Sequence, residues 1–429
     1  MLVMFRTRNF ASFKDEIILD MRAVSYKEMK SHVIDTGRNK VVKSLAIFGK
    51  NASGKSNLIS ALYFFESFVL NQFFQDDTDA IDNAGKLPNI RRIPFKLSKA
   101  IDATSEFEII FSCKGKTFQY GFMLDDQEQG PTKISEEWLL LNEQLVFERK
   151  ANKITSGKNY RKEIEKMEKV RNDRLYIGTL DYFAEDTDAV KEVVDDIKMY
   201  LKENFNVHFE LIIESTVKGI AFATSYSERL FKDEEYKRIV EDFVKSADIG
   251  ITRIDIKPNK EASNNGDKYD IRCAHNKYDE NGEIIGEELF ELNMESSGTI
   301  RYFSFIQYIL DILEKGGVFV IDEFSARLHP ILTKFVIDLF QSSKNSKAQI
   351  IFTTHDISLM NRKQMRRDEI ALVEKNERGE SSVYTLADIK ARSDASFSKD
   401  YMSGKYGAIP IINESWLDSK QVEGWLWAD

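Results

Sequence analysis

With 429 residues the chain exceeds what one compact core usually takes, which predicts two lobes, or one domain with a large insertion. Its 42% hydrophobic, 31% charged and 12% aromatic residues fit a globular protein; no run of about eighteen apolar residues occurs and a charge stands already at Arg6, so neither a membrane span nor a secretory leader is expected, and the predicted location is cytoplasmic. A net charge of −9, from 61 Lys/Arg and 70 Asp/Glu, argues against general coating of nucleic acid, while local basic patches remain able to grip phosphates.

Residues 2–10 and 12–20 alternate like two strands of an opening hairpin. An apolar run at 44–48 then leads into Gly49-Lys-Asn-Ala-Ser-Gly-Lys-Ser56, and 57–70 is an amphipathic, helix-like stretch. A glycine-rich turn between strand and helix lets backbone N–H groups close around a triphosphate, with a lysine supplying charge and a hydroxyl a Mg²⁺ ligand. The helix N-terminus adds its own partial positive charge. A polar surface loop is expected at 75–86, and strands at 107–113 and 117–124 flank a Lys114-Gly115 turn, with further β-character through 134–147. Together, residues 1–148 read as an N-terminal α+β lobe.

Residues 149–246 read as a charged, inserted helical region, with helices over 162–171, 189–203 and 233–245. Its first stretch, 149–174, holds ten Lys/Arg against four Asp/Glu. A solvated helical face is the plain expectation for such charge, and a partner or nucleic-acid surface the sharper one. Cys113 and Cys273 stand singly in strand-like segments and read as reduced core thiols. Cys273 and His275 share a strand face, but two ligands do not make a zinc site.

Residues 247–429 form the second lobe: strands at 251–256, 269–273 and 287–292, a helix over 299–314, a strand at 318–321, a helix over 330–342, a strand at 349–353, and a hairpin, 369–373 with 382–386. Strands alternating with helices indicate a mainly parallel sheet, hence an α/β fold.

Gly317-Val-Phe-Val-Ile-Asp-Glu323 sets two carboxylates at the C-terminal tip of a buried strand, where α/β sheets bind ligands. Asp322 is suited to hold Mg²⁺ and Glu323 to take a proton from an attacking water. Glu295-Ser-Ser-Gly-Thr299 opens a helix with hydroxyls and free amides, an anion-binding end. His355 follows the next strand in Thr353-Thr-His-Asp356. Alone, the serines are only a cap and the histidine structural; their order after the phosphate loop changes that reading.

In Asn9-Phe-Ala-Ser-Phe13, the loop from Phe48 to Asn57, Glu295 to Thr299, Asp322-Glu323 with Leu328-His-Pro330, Thr353 to Asp356 and Lys405-Tyr-Gly-Ala-Ile-Pro410, the chain resembles ABC-type ATPases of the RecF/SMC/Rad50 and OLD branch, most closely the AAA15 group. The resemblance covers 1–145 and 247–412. It implies ATP and Mg²⁺ as cofactors, with Gly49, Asn51, Ser53, Gly54, Lys55, Ser56 and Asn57 around the nucleotide and Ser56 and Asp322 on the metal. It further implies Glu323 as catalytic base, Lys55 and His355 on the γ-phosphate, and Ser297 and Gly298 acting in trans across a head-to-tail dimer, with larger rings open. Two departures stand out: Phe324-Ser325, where leucine or proline then a polar residue is commoner, and the missing assignment of a γ-phosphate glutamine, Gln72 and Gln75 lying too near the phosphate loop.

The segment after His355 is too short for the Toprim nuclease of OLD proteins, so any nuclease is expected on another polypeptide. The resemblance to the ATPase halves of two-gene anti-phage systems such as AbiL and PARIS implies a switch that senses a phage trigger and controls a separate effector. The alternatives are a RecF- or Rad50-like repair ATPase acting on DNA ends, and a slow nucleotide-binding scaffold.

Overall fold

A computed structural model describes residues 1–73, 92–98, 104–125, 133–167, 170–208, 227–247, 250–259, 269–325 and 329–410; the loop expected at 75–86 lies outside them. The chain opens with strands β1 (Leu2–Arg8), β2 (Ile17–Asp20), β3 (Val33–Asp35), β4 (Lys40–Val42) and β5 (Ser44–Phe48), followed by helix α1 (Lys55–Phe73). An antiparallel run follows: β6 (Thr104–Cys113), β7 (Lys116–Asp125), β8 (Lys133–Leu141), β9 (Gln144–Lys150) and β10 (Lys153–Ser156). Next come α2 (Tyr176–Phe183), α3 (Ala189–Met199), β11 (Phe205–His208) and α4 (Glu234–Ala247), then β12 (Ile251–Pro258), β13 (Tyr269–Tyr278) and β14 (Ile284–Glu291). The last part holds α5 (Ser297–Lys315), β15 (Gly317–Ile321), α6 (Pro330–Gln341), β16 (Ala348–Thr353), β17 (Ile370–Lys375), β18 (Ser381–Thr385) and α7 (Phe397–Met402).

A seven-stranded antiparallel sheet runs β10-β9-β8-β7-β6-β1-β2, and a six-stranded sheet runs β11-β15-β16-β5-β17-β18. All neighbours in the second are parallel except the β17–β18 hairpin. β5 therefore lies between two strands from far along the chain. Its residues alternate, Leu45 and Ile47 into one apolar core, Ala46 and Phe48 into the other. β15 does the same, with Val318 and Val320 on one side and Phe319 and Ile321 on the other. Both faces are covered, which is why these strands read as unbroken apolar runs.

Helix α1 is apolar nearly all round because it is sandwiched between the two sheets. Phe65 stacks on Phe122 of β7 at 5.5 Å and meets Phe5 of β1 edge-on at 6.0 Å. Helix α5 is likewise shared: Phe305, Ile309 and Ile312 face the core under the parallel sheet, while Ile300, Phe303 and Ile306 face a third core with α4, β12 and β13. No described helix is long and apolar enough to cross a membrane.

The stretch 149–246 departs from the helical expectation in two places. Its start continues the antiparallel sheet as β9 and β10, and the helix expected over 162–171 is a single turn at Arg161–Ile164 with a 3-10 turn at Glu165–Met167. Fully buried Arg149 donates to the carbonyls of Ala151, Arg171 and Arg174 at 2.9, 2.9 and 2.7 Å, fastening the two ends of this stretch to the end of β9. Further on, residues 176–208 pack into the first core, and β11 pairs with β15 at the edge of the parallel sheet.

Candidate active site

β5 delivers the chain to Gly49 from a wholly buried strand. A Cβ at Gly49 would stand 2.4 Å from Val373 O, and one at Gly54, where φ is +116°, 2.7 Å from Ser381 Oγ and 2.8 Å from Ser12 Oγ. Only glycine fits the turn that folds the loop back. Lys55 Nζ donates to Gly49 O at 2.8 Å and Lys50 O at 3.2 Å, closing the ring. Burial holds this ammonium below the usual lysine range, opposed by the carboxylates of Asp322 and Glu323.

The loop is braced from outside. Ser381 Oγ lies 2.6 Å from Ser53 O and 2.8 Å from Ser12 Oγ, which also accepts the Asn57 amide at 2.8 Å. Ser53 Oγ is buried with no partner among the described residues, an orphaned hydroxyl inside the cradle. Asn51 and Ser56 face outward.

The acids of β15 arrive beside Lys55. Asp322 is 4% exposed and its Oδ1 accepts from Thr353 Oγ1, on the neighbouring strand. The same Thr353 Oγ1 accepts the Glu323 amide at 2.7 Å and Thr353 O accepts the Phe324 amide at 3.0 Å. Glu323 takes φ +47°, a left-handed conformation costing a non-glycine residue about 1–3 kcal/mol. That turn leaves its carboxylate exposed while Asp322 stays buried. Sequence reasoning passed over Thr353 as a bracket for both acids; the cue was a threonine directly across the parallel ladder from the two carboxylates. The same reasoning missed Ser12 and Ser381, whose roles appear only once the chain is folded.

His355 sits at the rim, its imidazole held below the usual histidine range by burial and by Lys55, with Glu323 and Asp322 pulling the other way. It stays neutral at pH 7, able to accept or donate one hydrogen bond. Thr354, one residue before, ties β16 to the phosphate strand through Ile47 O at 3.1 Å and meets Ser325 Oγ at 2.7 Å.

Ser296 caps α5, accepting the Thr299 amide at 3.0 Å. Ser297 and Gly298 open α5, which leads through Gly316 directly into β15, the strand that ends at Asp322. Glu295 is held by His275 Nε2 at 2.8 Å, so His275 has a carboxylate partner, and buried Cys273 forms no disulfide among the described residues. Phe324, the unusual residue after the acids, is fully buried between Phe305 of α5 at 5.2 Å and Phe352 of β16 at 5.1 Å. His329 caps α6 through Ile331 N at 3.3 Å, with Pro330 in the first turn. Gln72 accepts the Leu175 amide at 3.2 Å, which employs it at the start of α2, and Gln75 lies outside the described residues.

Over residues 44–361 the chain matches the family described as "AAA domain, putative AbiEii toxin, Type IV TA system". The chain belongs to this AAA family. Among solved structures it is similar to an SMC head bound to the C-winged helix domain of ScpA, at 15% identity and TM-score 0.43, covering 91% of this chain and 99% of that one. It is also similar to the SMC head domain from Thermotoga maritima, at 13% identity and TM-score 0.42, covering 90% and 98%. A third likeness is to an Smc head with an extended coiled coil bound to the C-terminal domain of ScpA derived from Pyrococcus furiosus, at 14% identity and TM-score 0.41, covering 94% and 98%. No curated protein matches.

Proposed function

We propose that this AAA-family chain is an ATP-hydrolysing, ABC-type switch. The observation that carries the reading is the meeting of Lys55, Asp322, Glu323 and His355 within electrostatic reach of one another beside a glycine cradle containing an orphaned hydroxyl. These groups fit a magnesium nucleotide: Lys55 and the loop amides would take the phosphates, Ser56 and Asp322 the metal. The bound Mg²⁺ would neutralise phosphate charge as it develops. Glu323, exposed at the rim, serves as proton acceptor for water, and neutral His355 as a γ-phosphate contact. Asn51, Ser53, Gly54 and Asn57 shape the cradle, and Ser297 with Gly298 would close it from a second copy in a head-to-tail dimer.

In this reading ATP joins two copies through charge-assisted contacts that disappear on hydrolysis. The toxin–antitoxin wording attached to the family supports a defence context, in which a phage-derived trigger shifts the assembly and frees or positions a separate effector, a nuclease being the expected kind. A repair role on DNA ends would lean on residues 149–174. There Arg149 is buried onto three backbone carbonyls, which takes one of the ten cations away from any nucleic-acid surface.

Glu323→Gln is the decisive variant. It is expected to abolish phosphate release and to accumulate an ATP-bound dimer by light scattering. Equal, slow turnover by wild type and variant would replace the switch with a nucleotide-binding scaffold. In cells carrying the chain with its genomic neighbour, Lys55→Ala is expected to abolish phage protection; protection retained in that variant would overturn the defence reading.

A further inference from the structure

We propose a second ligand site, for a small phosphorylated molecule, in the cavity that the Lys405–Pro410 motif builds beside β18. This motif takes no part in the site described above. The cavity measures about 350 Å³ and is lined chiefly by Tyr384, Ile389, Lys390, Arg392, Lys405 and Tyr406. That is the low end of volumes that hold small ligands, about 300–1,000 Å³.

Its chemistry runs against the composition of the protein. In a chain of net charge −9, the lining carries three cations and no acid. Lys390 makes no ion pair among the described residues. Arg392 and Lys405 are tied from outside the cavity, by Asp394 and Asp400, each at an exposed site where an ion pair is worth little and exchanges readily for a phosphate. The rest of the lining is aromatic and hydrogen-bonding, with Lys405 Nζ 5.8 Å from the centroid of the Tyr406 ring. Tyr406 is largely buried with its hydroxyl 2.9 Å from Asp400, and Tyr384 OH lies 2.8 Å from Tyr406 O and 3.1 Å from Glu374 Oε2. Burial and Asp400 push the Tyr406 phenol up to about 12, so it remains a neutral wall for a planar ring.

The backbone on both sides is unusual. Gly404, Gly407 and Ala408 have φ of +78°, +72° and +57°, and Lys390, across the cavity, +51°. A Cβ at Gly407 would stand 2.9 Å from Glu374 Oε2 and from Tyr384 OH, so glycine alone lets the turn close on β18. Left-handed residues gathered around one concavity are the kind of local cost that sites retain.

The position gives the site a use. Tyr384 stands three residues along β18 from Ser381, about 10 Å at the strand rise, and Ser381 supports Ser53 of the phosphate loop. Side chains three apart on a strand point to opposite faces, so an effect of a ligand on that support would pass through the β18 backbone. Binding itself does not depend on the hydrolytic reading; only its consequence for turnover rests on it.

The test uses the full chain carrying Lys55→Ala, which disables the phosphate loop, titrated calorimetrically with AMP and, separately, with inorganic phosphate. Saturable binding is expected, weakened about tenfold or more by Lys390→Asn with Lys405→Gln, with the thermal melt unchanged because asparagine tolerates the left-handed turn. Tighter binding of AMP supports an organic phosphate and equal binding supports phosphate itself. Binding of neither probe, or binding indifferent to the double substitution, overturns the site. Because binding is read with Lys55 already removed, such a failure leaves the hydrolytic reading intact.

Discussion

Around the phosphate loop and the acids beside it, distant parts of the chain add support to the loop's own bonds: Ser12 from the β1–β2 turn, Ser381 from β18, Thr353 from β16. The Ser296 corner is built otherwise. It spends its hydroxyl on its own helix, and Glu295 beside it pairs with His275 on β13, in a three-stranded sheet whose outer strand β14 is almost wholly exposed. The loop proposed to hold phosphates is bracketed on several sides, whereas the corner proposed to meet a second copy is anchored by the helix behind it, whose Ile300 and Phe303 are buried. On the proposed reading, the chemistry is preset within each copy and assembly is where regulation would enter.

The sharpest way to break this contrast is at Lys55. Lys55→Ala is expected to lower kcat/KM for ATP by about 10² or more, the scale of losing one preset charge contact to phosphate, measured by phosphate release. A loss much smaller than that would mean the brackets, not the lysine, carry the phosphates.

Thr353→Val comes next. It keeps the shape but removes the hydroxyl that joins Asp322 to the Glu323 amide, and is expected to cost kcat about tenfold with little change in KM, plus about 1–3 kcal/mol in stability. An unchanged kcat would show that the left-handed turn at Glu323 holds without its bracket.

The pH dependence of folding probes a buried pair that belongs to the scaffold rather than to either site. Glu137 is fully buried, accepts the Tyr176 and Ile177 amides at 2.5 and 3.0 Å, and has its carboxyl pushed up to about 6 by burial, with Arg149 3.7 Å away. A carboxyl with a raised folded pKa contributes stability present below its unfolded value and lost as pH rises through the folded one. From about pH 3.5 to about pH 7, wild type should therefore lose about 2 kcal/mol relative to Glu137→Gln. Parallel melting curves for the two would mean that the Glu137 carboxyl titrates at its unfolded value.

The smallest effect belongs to the Ser296 corner. His275→Gln is expected to weaken ATP-dependent dimerisation a few-fold, about 1 kcal/mol for one hydrogen-bonded pair, while leaving nucleotide binding by a single copy untouched. A matching loss in single-copy binding would show that the corner is not independent.

Sequence alone made the phosphate strand, its loop and helix, the two acids and the hairpins legible, because each is a local pattern with a local cause. The order of the parallel sheet was not legible: nothing in Ser44–Phe48 indicates that its neighbours start at Ala348 and Ile370. The basic stretch misled, since a charge count cannot tell Arg149, turned inward onto three carbonyls, from lysines left in water. Thr353 and Phe324 sat beside residues already singled out, yet their work is across strands, in a dimension that spacing along the chain does not record.

The placement of β5 bears on synthesis as well as on catalysis. A nascent polypeptide emerging from the ribosome carries its phosphate strand for some three hundred residues before either flanking partner is made, so that strand must wait unpaired, greasy on both sides, and exposed to misassociation. On the proposed reading, nucleotide turnover would wait for the finished polypeptide, and a product truncated before β16 would be inert.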